Sequence, residues 1–182
     1  SNLPQGTVLD GELLCWNENQ PMPFSFLQKR LGRKKVSPKL LDSHPCILLA
    51  YDCLEANGED LREHSLKERR EILEKLIQDC DEPRLKISSF LSADSKESLE
   101  ILRDSSRDFG AEGLMLKKKE SPYLSGRKRG HWWKYKVDPL TLDAVLIYAQ
   151  AGSGRRANLF TDYTFALWKD SELVTFAKAY SG

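Results

Sequence analysis

Apolar positions along this 182-residue chain fall into two textures. Up to about residue 138, short apolar runs alternate with stretches in which apolar residues recur every three or four positions; beyond it only short runs remain. A short apolar run bounded by turn residues predicts a strand, and the wider spacing predicts an amphipathic helix. Thr7–Trp16 (TVLDGELLCW) reads as a strand with Leu9, Leu13 and Cys15 on one face and Val8, Asp10, Glu12, Leu14 and Trp16 on the other. Both faces are mostly apolar, which predicts burial on both sides. Pro23–Leu31 reads as a short helix with Phe24, Leu27 and Leu31 on one side and Gly32 as its stop. The basic run Arg30–Lys35 reads as a solvated loop. Cys46–Leu54 (CILLAYDCL) predicts a buried strand, followed by a turn at Asn57–Asp60. Ser65–Glu68 has the capping-box pattern S-x-x-E and opens a helix to about Asp79, with Leu66, Leu73, Leu76 and Ile77 apolar and its charges solvated. A strand at Leu85–Leu91, a helix at Asp94–Asp108 cored by Leu99, Ile101 and Leu102, and a buried strand from Glu112 complete the first part. Asp138-Pro139-Leu140-Thr141 reads as a joint, since proline donates nothing to a sheet ladder. Strands follow at Asp143–Gln150, Thr161–Lys169 and Glu172–Lys178. The pattern is α+β, with one domain over 1–140 and the start of a small β domain over 141–182.

Composition alters this picture little. Hydrophobic residues make up 40% and charged residues 30%, as in a soluble globular protein, and the net charge of +1 names no partner. Cys15, Cys46, Cys53 and Cys80 form no C-x-x-C pair, so reduced thiols in an intracellular protein are expected rather than disulfides or zinc. No run approaches the roughly 18 apolar residues of a membrane span.

Local charge is more informative. Lys117–Lys136 carries eight basic residues against the single acid Glu120. Residues two apart on a strand share a face, about 6.5–7 Å from each other. Lys134 and Lys136 therefore point one way, and Trp133, Tyr135 and Val137 the other. Two such ammonium groups can reach one polyphosphate, and Glu112 can hold its Mg²⁺; the alternative is a solvated basic strand near a structural glutamate. Asp10 and Glu12 sit in an apolar strand, where an unpaired carboxylate is costly. Either Glu12 faces a ligand or metal, or one acid pairs with a core arginine or caps a turn at Gly11. Tyr51, at the mouth of a buried strand, either stacks on a nucleobase or is a core tyrosine with a bonded hydroxyl. The loop over 117–130 and the GSGRR loop at 152–156 are placed to touch phosphates.

In order, LDGEL, AYD, EGLMLK, WWKYK and DAVLIYA resemble the motif series of the covalent nucleotidyltransferases, most closely the ATP-dependent DNA ligases of the bacterial type. The linkers GEDLREHSLKERR and GSGRRANLFTDYTFALW are also similar to those of ligases. The resemblance implies an adenylation domain of antiparallel sheets flanked by helices, then the first strands of an OB-fold domain. It implies that a lysine attacks the α-phosphate of ATP, that the AMP passes to the 5′-phosphate of nicked double-stranded DNA, and that the 3′-hydroxyl displaces it. It further implies that Tyr51 stacks on adenine, that Glu12 contacts the nucleotide and the metal, and that Glu112 holds Mg²⁺. Lys134 and Lys136 would neutralise the α-phosphate. Lys117, Lys118, Arg127, Lys128, Arg129, Arg155 and Arg156 would meet DNA phosphates. A bacterial, cytoplasmic, nucleoid-associated protein is the corresponding expectation.

The family's nucleophile lies in a K-x-D-G motif, and these 182 residues contain none. The expectation is an internal piece of a ligase that does not adenylate itself. The competing expectations are a non-catalytic nucleic-acid-binding module built on a basic loop and an OB-like sheet, and an RNA-ligating or capping relative.

Overall fold

The computed structural model describes residues 3–126 and 128–181. It divides into two compact units, Ser1–Val137 and Asp138–Gly182.

The first unit begins with β1 (Val8–Asn17), which turns through Glu18 and Asn19, both at positive φ, into the two-residue β2 (Gln20–Pro21). The short helices α1 (Phe24–Gln28) and α2 (Pro38–Ser43) follow, then β3 (Cys46–Ala56). Asn57 and Gly58 supply the two positive φ values of a tight hairpin to β4 (Glu59–Asp60). Next come α3 (Leu66–Asp79), β5 (Leu85–Ile87), α4 (Lys96–Ser105) and a 3₁₀ turn (Ser106–Phe109). The hairpin of β6 (Gly113–Lys117) and β7 (Trp132–Lys136) closes the unit. The main sheet runs β2-β1-β3-β4, with β5 paired to β3 as its one parallel neighbour among the described residues. Its core is Ala50, Cys53 and Ala56 of β3 packed with Leu61, Leu73, Cys80 and Leu85. The α+β class with antiparallel sheets stands.

Several elements differ from expectation. β1 is not buried on both sides: Cys15 is its one buried residue and Leu13 is 51% exposed. Exposed and half-buried residues occur on both of its faces, and Leu13 shares its face with Cys15. α1 stops at Gln28, leaving Leu31 outside it, and Phe24 is exposed. α2 escaped the periodicity because it is only six residues long; its signal was Ser37-Pro38, with Ser37 accepting from Leu40 N–H and proline in the first turn. The capping box at Ser65 and Glu68 is formed as expected. The charges of α3 are not all solvated, however, because Arg69 and Arg70 are buried. The strand expected to Leu91 ends at Ile87, and Ile101 of α4 points to solvent.

The second unit is an antiparallel sheet of β8 (Val145–Ala151), β9 (Phe160–Lys169) and β10 (Glu172–Tyr180), in the order β10-β9-β8. Each strand lies within two residues of its expected bounds. A 3₁₀ turn, Gly154–Arg156, occupies the GSGRR loop. Thr164 and Ala166 are buried on the central strand, whereas Ile147, Phe160, Trp168 and Phe176 remain exposed.

Candidate functional site

Register decides what the β6–β7 hairpin presents. Gly113 pairs with Lys136, Met115 with Lys134 and Lys117 with Trp132. Directly opposed residues share a face of an antiparallel pair, so Met115, Lys117, Trp132, Lys134 and Lys136 form one face. Leu114, Leu116, Trp133 and Tyr135 form the other, where Tyr135 meets the Arg103 guanidinium of α4. Gly113 belongs to the first face and admits no side chain. A Cβ there would lie 2.3 Å from the Tyr135 carbonyl oxygen, and its φ is +140°.

The cationic face meets the main sheet at Tyr51. Lys117 Nζ lies 4.0 Å from the centroid of Tyr51 and 3.8 Å from that of Trp132, so its ammonium is held between two rings. Burial pushes its pKa down to about 8, against the attraction of Asp52 and Asp10. Lys117 is thus corrected from the exposed DNA-facing loop to the wall of the cleft. The Tyr51 hydroxyl donates to Asp10 Oδ1 at 2.9 Å, and the Tyr123 hydroxyl donates to Asp10 Oδ2 at 2.8 Å. Burial and the Asp10 carboxylate push both phenols up, Tyr123 to about 12. The β1–β3 register slips between Asp10 and Gly11, which pair with Asp52 and Ala50. Tyr51 is the extra residue at this bulge, a device that re-aims a side chain.

A cleft of about 390 Å³ opens beside these groups. Its walls include Glu12, Tyr51, Phe90, Met115, Lys117 and Trp132. Its size and its mainly apolar lining with a few charges suit a small ligand such as a nucleoside. Behind it, Arg69 clamps Asp52 through Nε at 2.7 Å and Nη2 at 2.8 Å, and Arg69 Nη1 donates to the carbonyls of His64 and Ser121. The core arginine therefore pairs with Asp52 rather than with either acid of β1.

Glu112 lies just outside β6 and is exposed. Its carboxylate accepts from Lys136 Nζ at 2.6 Å, a bond that, with the charge it brings, holds the carboxyl below its ordinary pKa. Glu12 lines the cleft, but no group of three His, Cys, Asp or Glu able to hold a metal exists among the described residues. Mg²⁺ retains waters and takes one or two carboxylates plus substrate phosphates, so the carboxylates present fit it only as a ligand shared with a polyphosphate.

The expected phosphate-touching loop is two things. Ser121 is buried, its carbonyl accepts from Leu66 N–H and Arg69, and Tyr123 N–H donates to the Arg62 carbonyl. That half is anchored, not free. Lys118, Lys128 and Arg129 are exposed, and Arg127 lies outside the described residues. In the second unit Arg155 and Arg156 are exposed, Arg156 Nη1 lying 3.4 Å from the Ser181 carbonyl. Trp132 and Met115 escaped the sequence reading, and Asp10, expected to pair with an arginine or cap a turn if it was paired at all, instead receives two tyrosine hydroxyls. Asp10 had a signal, a carboxylate in an apolar strand; Tyr123, its distant partner, had none.

The fold and this cleft define an α+β domain whose lysine-bearing hairpin meets the central strand, β3, of the main sheet at Tyr51. Residues 2–136 match the family model described as "ATP dependent DNA ligase domain", and the chain belongs to that family. It is 35% identical to a "Probable DNA ligase" of Koribacter versatilis over 96% of this chain and 34% of the relative. It is 32% identical to "DNA ligase 1" of Korarchaeum cryptofilum over 96% of this chain and 32% of the relative. The chain thus spans about a third of the length of these curated relatives. Among solved structures, a mycobacterial DNA ligase D complexed with ATP and MES superposes with a TM-score of 0.57 at 23% identity, over 96% of this chain and 50% of that one. A Lig E DNA ligase superposes with a TM-score of 0.64 at 19% identity, over all of this chain and 79% of that one. These likenesses bear out the fold class, including the OB-like strands.

Proposed function

We propose that the cleft of the first unit binds the adenosine of ATP and that the cationic hairpin face binds its phosphates, within a DNA ligase that seals nicks through lysyl-AMP and DNA-adenylate. The observation that carries this is that Met115, Lys117 and Trp132 line, with Tyr51, a cleft of nucleoside size, and that Lys134 and Lys136 continue the same hairpin face beyond it. Asp10 fixes the phenol of Tyr51, so that a base can stack on a ring of set orientation. Because Lys117 covers one part of that ring, the base either displaces the ammonium or takes the opposite ring face. Lys134 and Lys136 offer positive charge where charge builds on the α-phosphate, and they need not reorganise as it builds. Lys136 exchanges its partner Glu112 for phosphate, and the freed Glu112 carboxylate would be the group to hold Mg²⁺. Mg²⁺, when bound, supplies charge neutralisation of the phosphates. Glu12 contacts the nucleotide from the β1 side. Lys118, Arg127, Lys128, Arg129, Arg155 and Arg156 bind the phosphates of nicked DNA, with the salt dependence that counterion release imposes.

Calorimetry of ATP with Mg²⁺ on this chain and on Lys134→Ala/Lys136→Ala tests the site. Binding that is lost in the double variant supports it; equal binding by both proteins excludes this hairpin face. In this reading the chain, having no K-x-D-G, binds nucleotide without being labelled. A covalent label from radiolabelled ATP would sink that part.

A further inference from the structure

The β1–β3 ladder also brings together two thiols that the nucleotide cleft does not use. Cys15 and Cys46 stand directly opposite each other, with their sulfurs 3.4 Å apart. Trp16 N–H donates to the Pro45 carbonyl at 2.9 Å, which makes 16 and 45 a hydrogen-bonded pair and leaves 15 and 46 as the adjacent non-bonded pair. Opposed Cα atoms at such a position are about 4.5 Å apart, inside the roughly 4.4–6.8 Å that a disulfide spans. The two sulfurs are unequal. Cys15 is 1% exposed, and burial with the neighbouring Cys46 pushes its thiol up to about 11. Cys46 is half-buried, and Arg30 Nη1 donates to its sulfur at 2.9 Å while also holding the His44 carbonyl at 2.6 Å. Arg30 therefore is not part of a solvated loop; it delivers a cation to one thiol of the pair. Such an electropositive, partly accessible sulfur is the kind that reacts. Cys53 and Cys80 are buried.

We propose that Cys15 and Cys46 form an oxidisable dithiol site whose substrate is a hydroperoxide. The Cys46 thiolate attacks one peroxide oxygen; the S–O bond forms, the O–O bond breaks, and the second oxygen leaves and takes up a proton. Cys46 is oxidised to a sulfenic acid and the peroxide is reduced to an alcohol or water. The Cys15 sulfur then attacks the sulfenic sulfur. The S–S bond forms, the S–O bond breaks, and the hydroxide leaves with the Cys15 proton as water. The product is a cross-strand disulfide that fastens β1 to β3.

The test exposes the protein to graded hydrogen peroxide, caps the remaining thiols with N-ethylmaleimide in denaturant, and maps the peptides by mass spectrometry. The expected product is a Cys15–Cys46 linked peptide pair, about 2 Da lighter than the sum of its parts, with Cys53 and Cys80 still capped. In Cys15→Ala, Cys46 should stop at the sulfenic acid and be captured by dimedone. Arg30→Gln should slow loss of the Cys46 thiol several-fold. Linkage to Cys53 or Cys80, a disulfide between molecules, loss of all four thiols at one rate, or an Arg30→Gln rate equal to that of the unaltered protein would overturn the assignment.

Discussion

Two carboxylate–cation pairs in the first unit have nearly the same length and opposite surroundings. Asp52 and Arg69 meet at 2.7 Å with both side chains fully buried. Glu112 and Lys136 meet at 2.6 Å with the carboxylate 81% and the lysine 55% exposed. The first pair cannot be broken without leaving a charge in the interior, and it ties β3 and α3 to the Ser121 carbonyl. The second is screened by water and exchanges partners at little cost. Length alone would rank the pairs as equals. Burial separates a fixture from a group free to take another partner, such as a phosphate.

The largest expected effect comes from breaking the buried pair. Arg69→Met should lower the unfolding free energy by about 3–5 kcal/mol, because it strands the Asp52 carboxylate; urea unfolding measures it. A smaller loss would mean that water reaches Asp52. Next, Lys134→Ala/Lys136→Ala should abolish ATP binding while leaving the urea midpoint in place, and Glu112→Gln should likewise leave the midpoint unmoved. A shifted midpoint would make the exposed pair a fixture too and erase the contrast. Tyr123→Phe removes one of two phenols from Asp10 and should cost about 1–2 kcal/mol by the same urea measurement, with nucleotide affinity weakened through the looser Tyr51.

The smallest effect is one of pH. Lys117 has a pKa lowered to about 8 by burial. Between about 8 and its unfolded value near 10.5 the unfolded chain binds more protons than the folded one, so stability from this group rises with pH across that window. Below it, the charged lysine costs stability. Tyr123, raised to about 12, acts in the opposite direction above its ordinary value near 10, where the folded state holds the extra proton. Lys117→Met should flatten the rise between pH 8 and 10. An unchanged slope would place the ammonium in water.

Much of the fold was written in local patterns. The apolar run at Cys46, the capping box at Ser65, the paired positive-φ residues at Asn57-Gly58 and the strand-turn-strand at Asp170 each form as their chemistry dictates. The same is true of the lysine face, because alternation along β7 follows from strand geometry. What failed had a common cause. Arg69 and Arg30 look like members of solvated charged runs, and only a partner distant in sequence shows that each serves a buried or half-buried group. Lys117 opens a basic run, yet its ammonium rests between rings contributed by β3 and β7.

By itself, then, the sequence determined the types of the longer elements, the motif series that places the chain among the ATP-dependent DNA ligases, and which residues of each strand share a face. These are short-range matters of spacing, capping and turn chemistry. Tertiary structure decided which charges are interior, which two aromatic rings hold Lys117, that one carboxylate receives two phenols from 41 and 113 residues away, and that two thiols meet across a ladder. Those outcomes depend on desolvation and on register between distant segments, and no local pattern encodes either.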